Sequence, residues 1–138
     1  YVIAGDGNDR PRLESLSREF GVLDRVRFIG YVSDDELPDL YRTADLFVMP
    51  SMGEGFGIVF LEAAACGLPV IGGNRDGSLD ALADGAIGTA VDPENDAKLT
   101  NAICIALKES TGAAVTHVTR FSKENFIAYV EDLVNSFT

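Results

Sequence analysis

The sequence predicts an α/β domain with a doubly wound parallel sheet and helices on both faces. Short apolar runs recur along the chain without alternating polar residues, which is typical of strands buried on both faces. Segments with helical periodicity separate these runs, and alternating strands and helices build βαβ units. The 138 residues, of which 46% are hydrophobic and 24% are charged, have the size and composition of one globular domain.

The predicted strands are the short apolar runs Tyr1–Ala4, Val26–Ile29, Leu46–Met49, Pro69–Ile71 and Thr89–Val91. The predicted helices carry apolar residues three or four positions apart, and they cover Arg12–Phe20, a segment that begins at Pro38, Ile58–Cys66, Ala97–Leu107 and Glu124–Phe137. Gly21 and Gly67 are expected to end two of these helices, and Ser122 is expected to cap the last one.

Acidic residues outnumber basic residues by 22 to 11, which gives the chain a formal net charge of −11. This charge is repelled by the phosphates of nucleic acids and of anionic membranes, so it argues against broad electrostatic binding to either. A local anion site remains compatible with it, because backbone N–H groups can form such a site in an acidic protein.

The cysteines and the histidine predict no catalytic or metal site. Cys66 and Cys104 lie in apolar, Ala-rich helical contexts without metal-ligand spacing, so we expect reduced core thiols in a cytoplasmic protein. His117 is the only histidine, and nothing near it in the sequence supports a catalytic role. The chain opens on the apolar run at Tyr1 with no lead-in, and we therefore expect a fragment of a longer protein.

The strongest functional signal is the glycine-rich turn between the third predicted strand and the third predicted helix. It contains Gly53, Gly55 and Gly57, and three glycines in five positions allow positive φ and close backbone approach. Such a turn at a helix amino terminus favours a phosphate. Glycine content alone is equally compatible with a tight βα connection.

Two carboxylates indicate what accompanies the phosphate. Glu62 is the only charged residue of an otherwise apolar helix, so it needs a partner or a polar cavity. It lies about one turn into the helix, where ribose hydroxyls attached to the phosphate would be within reach. Glu54 lies in the loop, and sugar hydroxyls or a developing positive charge are its natural partners. These carboxylates suit a ligand composed of sugar, diphosphate and ribose, although a buried salt bridge from Glu62 to an arginine is the alternative.

These residues resemble the retaining GT-B glycosyltransferases of the family 4 group. The resemblance is carried by Glu54-Gly55-Phe56-Gly57, by Glu62 completing E-x7-E, and by Ala63-Ala64-Ala65-Cys66-Gly67-Leu68-Pro69 after it. Val2–Gly7, Val26–Val32 and Ala44–Ser51 agree in order, so the resemblance covers nearly all 138 residues. It implies the Rossmann-like C-terminal half of a GT-B fold, which would bind a UDP- or GDP-linked sugar. The N-terminal acceptor domain would be missing.

The resemblance also implies roles for individual residues. Glu54 would be catalytic, meeting donor-sugar hydroxyls and stabilising the transition state, and Glu62 would hold the ribose. The donor sugar and diphosphate would be bound at Gly55, Phe56, Gly57, Ile58 and Val59. Tyr31 and Val32 would line the base pocket. The acceptor would be a glycan, lipid or small molecule held by the missing domain, which would also make any contact with the inner face of a membrane.

The chain departs from the family pattern in its cations. The Lys and Arg that usually meet the diphosphate come from a segment upstream of Tyr1. After Ile71 the glycine pair is followed by an Asn-Arg-Asp insert, in which Arg75 would either contact a phosphate or pair with Asp76. No two aspartates are separated by one residue, so no metal or other cofactor is expected.

Two other functions remain open at the level of sequence. One is a sugar-nucleotide epimerase or phosphorylase of the same architecture, although an epimerase is expected to need more acid–base groups than this chain has. The other is a non-enzymatic, flavodoxin-like regulatory module. A receiver of that type needs a Lys near its fifth strand, which is absent here.

Overall fold

The computed structural model describes residues 1–109 and 115–136. In this part of the chain the strands are β1 (Val2–Ala4), β2 (Arg27–Gly30), β3 (Phe47–Met49), β4 (Val70–Gly73) and β5 (Thr89–Val91). The helices are α1 (Arg10–Glu19), α2 (Leu37–Arg42), α3 (Ile58–Ala65), α4 (Ser78–Ala81), α5 (Asp96–Glu109), α6 (Val115–Val118) and α7 (Lys123–Asn135). Short 3-10 helices cover Leu23–Arg25, Ala83–Gly85 and Thr119–Phe121.

All strand pairs in the described residues are parallel, as the continuous apolar runs predicted. Their hydrogen bonds form two sheets rather than one, with β1 beside β2 and with β3, β4 and β5 in sequence order. The difference arises because an apolar run identifies a strand without specifying its neighbour. The chain correspondingly divides into two compact units, Tyr1–Leu37 and Pro38–Thr138.

The first unit, Tyr1–Leu37, holds the two-stranded sheet and α1. Beyond the strands, the Gly5 amide donates to the Gly30 carbonyl at 2.7 Å. The carboxylate of Asp6 accepts from the Tyr31 amide at 3.2 Å. The turn after β1 is therefore fastened to the segment that follows β2, where Tyr31 lies.

The core of the second unit surrounds β4 and α3. Phe60, Ile71 and Leu82 are its largest fully buried apolar side chains. The Phe47 ring packs edge-on against Tyr41 and Phe60, with ring centroids 5.7 and 5.8 Å apart. This aromatic cluster joins α2, β3 and α3, so it fixes the position of the helix that begins at the glycine-rich turn.

The helix ends agree with the residues predicted to form them. Gly21 and Gly67 have φ of +66° and +89°, in the left-handed region that favours glycine after a helix. The Ser122 hydroxyl accepts from the Asn125 amide at 3.2 Å and caps α7. Phe137, at the end of the predicted last helix, lies outside the described residues.

Some expectations about short elements and burial were wrong. Helical periodicity did not identify α4 or α6, because four residues are too few to show a helical period. Cys66 is half-buried, but Cys104 is exposed on α5, a helix without a fully buried residue. Its Ala-rich context therefore did not indicate core. No helix in the described ranges has the length and apolar character required to cross a membrane.

Candidate active site

The candidate site lies at the carboxyl edge of the three-stranded sheet. β3 and β4 are adjacent and parallel, with Met49 opposite Gly72, so the loops that follow them emerge side by side. The first loop, which contains the glycine-rich turn and is called the glycine-rich loop below, runs from residue 50 to 57. The second loop runs from residue 74 to 77. Ligands of parallel α/β sheets bind at this edge.

Asp76, in the second loop, connects the two loops by hydrogen bonds. Its Oδ2 accepts from the Ser51 hydroxyl at 2.9 Å and from the Glu54 amide at 2.8 Å. Its Oδ1 accepts from the Ser78 amide at 3.0 Å, at the start of α4. One carboxylate thus joins the glycine-rich loop, its own loop and the next helix.

These hydrogen bonds set the ionisation of Asp76. Hydrogen bonds from the Ser78 side chain and from the Glu54 amide hold the pKa of Asp76 well below its usual range, and the Ser51 hydroxyl adds to the effect. Asp76 is therefore ionised throughout the physiological pH range. Charge-assisted hydrogen bonds of this kind are stronger than neutral ones.

Two glycines allow the loops to approach this closely. A Cβ on Gly77 would collide with the Gly55 carbonyl oxygen, and a Cβ on Gly73 would collide with the Ser51 carbonyl oxygen. The Gly77 amide also donates to the Glu54 carbonyl at 2.9 Å. Glycine at both positions is consequently a packing requirement.

Gly57 forms the junction between the loop and α3. It is the N-cap residue with φ +84° and ψ +61°, a left-handed conformation. Because glycine has no side chain, this N-cap offers no acceptor to the first-turn amides of Ile58 and Val59. Those amides, together with the positive end of the helix dipole, are suited to an anion.

Glu54 and Phe56 lie in the same loop. Glu54 is half-buried, and its Oε1 accepts from the Gly55 amide at 3.0 Å. Phe56 packs edge-on against Phe121, with ring centroids 5.8 Å apart. Both backbone groups of Glu54 are also fixed, because its amide donates to Asp76 and its carbonyl accepts from Gly77. The backbone that carries Glu54 is therefore held from the neighbouring loop.

Glu62 lies one turn into α3 and is half-buried. Its Oε2 accepts from the Tyr41 hydroxyl at 3.2 Å. Burial raises the pKa of Tyr41, and the Glu62 carboxylate raises it further, so the phenol stays protonated and donates. Among residues 1–109 and 115–136 no ion pair includes Glu62. Its partner is the Tyr41 hydroxyl and not the arginine that the salt-bridge alternative required.

Arg75 follows β4 but pairs away from the glycine-rich loop. Its guanidinium bonds Asp92 at 2.8 Å and also bonds Glu94, both beyond β5. The alternative that Arg75 pairs with Asp76 was therefore wrong, because Asp76 is occupied by donors from Ser51, Glu54 and Ser78. A phosphate contact from Arg75 stays a prediction, and it would require exchange of these acidic partners.

Tyr31 and Val32 belong to the first unit, Tyr1–Leu37. Tyr31 is 75% exposed, and Val32 is half-buried. Their predicted place in a base pocket stays a prediction. The sequence missed Asp76 and Tyr41 as site residues. The order Asp76-Gly77-Ser78 is typical of a turn in which the aspartate accepts from the amide two residues on, and this signal identifies a local role only.

Comparison with known proteins identifies the family. The family model of glycosyl transferases group 1 matches residues 1–133. The chain belongs to this glycosyltransferase family. A crystal structure of HepE from Anabaena with UDP-glucose superposes with a TM-score of 0.80 at 26% identity, covering 98% of this chain and 40% of that one. The parallel sheets with helices on both faces match the Rossmann-like C-terminal domain of such GT-B glycosyltransferases, as predicted.

Two curated relatives show the range of activities in the family. D-inositol 3-phosphate glycosyltransferase 2 of Catenulispora acidiphila is 40% identical over 125 residues, 86% of this chain and 29% of that protein. A GDP-mannose-dependent alpha-(1-6)-phosphatidylinositol monomannoside mannosyltransferase of Mycobacterium tuberculosis is 39% identical over 109 residues, 74% of this chain and 28% of that protein. The chain spans between 19% and 33% of the length of the first curated relatives it matches.

Proposed function

We propose that this chain is the donor-binding domain of a retaining glycosyltransferase of the family 4 group, covering residues 1–138. It binds a nucleoside-diphosphate sugar, and an N-terminal domain outside this chain holds the acceptor. The observation that carries the proposal is the loop 50–57, which is fixed at the carboxyl edge of β3 and β4 and leads into the uncapped start of α3. Membership in a glycosyltransferase family favours this function over the regulatory module.

The geometry suits each part of such a donor. The amides of Ile58 and Val59 begin α3 and meet the diphosphate, with Gly55, Phe56 and Gly57 leading up to it. Glu54 precedes these amides and meets hydroxyls of the donor sugar. Glu62 accepts from the ribose hydroxyls.

In the reaction, the bond between the anomeric carbon and the diphosphate oxygen breaks. A bond to an acceptor oxygen forms with the same anomeric configuration, and the proton of the acceptor hydroxyl passes to the departing nucleoside diphosphate. The start of α3 stabilises the negative charge that develops on the leaving diphosphate. Glu54 stabilises the positive charge that develops on the sugar. The proposal assigns no role to a metal ion.

For the nucleotide base and the acceptor, we propose only the chemical class. The solved neighbour binds UDP-glucose, and one relative depends on GDP-mannose, so UDP and GDP are the nucleotides to test first. Relatives named for inositol phosphate and phosphatidylinositol mannoside acceptors favour a polyol, glycan or lipid acceptor. We place the protein in the cytoplasm, with any membrane contact made through another domain.

The decisive experiment is a binding titration of the chain with UDP, GDP, ADP and their sugar conjugates. Glu62→Ala is expected to weaken the preferred nucleotide by about tenfold or more, because a carboxylate accepting from hydroxyls contributes strongly. Glu131→Ala is the matched control, since Glu131 is an exposed glutamate on α7. Thermal unfolding of each variant verifies folding. Absence of binding at millimolar nucleotide, or equal affinity in the Glu62→Ala and control variants, would contradict the proposal.

A further inference from the structure

We propose that Asp76 is a positioning residue for the donor sugar, acting through the backbone of Glu54. This inference rests on the proposed function and goes beyond it, because Asp76 lies outside the glycine-rich loop and outside the E-x7-E pair. Its carboxylate accepts from the Glu54 amide at 2.8 Å and from the Ser51 hydroxyl at 2.9 Å. The residue that would meet the sugar is therefore hydrogen-bonded to Asp76 directly.

Gly77, the residue after Asp76, also bonds the backbone of Glu54. The Gly77 amide donates to the Glu54 carbonyl at 2.9 Å, so consecutive residues of the second loop bond both backbone groups of Glu54. Asp76 is itself held by the Ser78 amide at 3.0 Å, and Ser78 is fully buried at the start of α4. The glycine-rich loop is thus attached to the buried start of α4. This gives Glu54 a defined position before a ligand arrives.

An asparagine cannot reproduce this arrangement. The Asp76 oxygens accept from the Glu54 amide and Ser51 hydroxyl on one side and from the Ser78 amide on the other. An amide side chain has one acceptor oxygen and one donor nitrogen, so in either orientation a donor faces a donor. Asp76→Asn keeps the size of the side chain and replaces one of its two accepting oxygens with a donor nitrogen, so the three contacts cannot all be kept.

Ligand-free measurements test whether Asp76 orders the loop. In Asp76→Asn we expect faster hydrogen exchange at the Glu54 and Gly77 amides, together with an upfield shift of the Glu54 amide proton. Asp84→Asn, at an exposed residue with φ +53° that asparagine tolerates, makes the same change in charge and is the control. Unchanged exchange and shift at Glu54 in Asp76→Asn would overturn the proposal.

Ligand titrations test whether the ordering serves the sugar. The probes are UDP with UDP-glucose and GDP with GDP-mannose, measured for wild type, Asp76→Asn and Asp84→Asn. We expect the ratio of the sugar-nucleotide Kd to the nucleotide Kd to rise about tenfold in Asp76→Asn only, because a misplaced contact loses its share of the binding. A merely structural role would weaken both ligands equally, and that result would overturn the positioning role.

Ser51→Ala provides a milder variant if Asp76→Asn does not fold. It removes the Ser51 hydroxyl as a donor to Asp76 and is expected to shift the same ratio in the same direction by a smaller factor. An unchanged ratio would count against the proposal. A wild-type chain that binds none of the probes would overturn the proposed function and the donor-sugar role with it. Binding by wild type with an unaltered ratio in the variants overturns the role of Asp76 alone.

Discussion

Replacing Gly57 with alanine tests whether the start of α3 depends on the absence of a side chain. Gly57 has φ +84°, and a Cβ there would lie closer than 3.0 Å to the Phe60 ring and 3.1 Å from Cγ of Glu54. The left-handed backbone costs an alanine roughly 1–2 kcal/mol. Overpacking against a fully buried ring adds roughly 1–3 kcal/mol. The expected total is about 2–5 kcal/mol of unfolding free energy.

Gly67, at the other end of α3, isolates the steric part of this cost. Its φ is +89°, but a Cβ there would meet nothing within 4 Å. Gly67→Ala should therefore lose only the backbone part, roughly 1–2 kcal/mol. The two variants are expected to differ by about 1–3 kcal/mol, or by about 3–10 °C in Tm for a chain of this size.

Chemical denaturation of wild type and both variants measures these differences, with unchanged m-values as the test of comparable unfolding. Phe60→Leu in the Gly57→Ala background makes room for the added methyl group. The double variant should be more stable than the sum of the single losses predicts, by about 0.5–3 kcal/mol. Equal destabilisation by Gly57→Ala and Gly67→Ala, or strict additivity with Phe60→Leu, would refute the steric account of Gly57.

Three further predictions concern side chains around the loops. Tyr41→Phe removes the hydrogen bond to Glu62 and should lower the unfolding free energy by about 0.5–1.5 kcal/mol, measured by chemical denaturation. Because the pKa of Asp76 is lowered on folding, its stabilisation is full above the ordinary aspartate pKa and is lost as pH falls through the folded pKa. The Tm difference between wild type and Asp76→Asn should therefore be constant from about pH 5 to 7 and shrink below about pH 4; a difference that grows on acidification would contradict this. Arg75→Ala should leave Tm nearly unchanged, since its ion pairs are exposed, and a large fall would show a structural role.

The strands and the long helices could be predicted because their signals are local. Continuous apolar runs indicated all five described strands, and Thr89–Val91 has the predicted bounds. The glycine-rich loop and Glu62 were also found, because spacing places them on one turn and one helix. The contacts of Asp76 with Ser51 and Glu54 join residues 25 and 22 positions apart, and the Tyr41–Glu62 bond joins residues 21 apart. No periodicity encodes such pairs, since they depend on which strands lie side by side.

Carboxylates lie beside the place proposed for an anion, and their negative charge would be expected to repel it. Their hydrogen bonds explain how the two can be compatible. Asp76 directs its oxygens toward the backbone and hydroxyl donors of the loops, and Glu62 accepts from the Tyr41 phenol. The carboxylate of Asp76 therefore stabilises the backbone of the loops, and the carboxylate of Glu62 accepts from a hydroxyl group. The positive potential comes from backbone amides at the start of α3, which need no basic side chain. In the proposed function, an acidic chain would hold a diphosphate because its carboxylates order the loop and backbone amides supply the contacts to the anion.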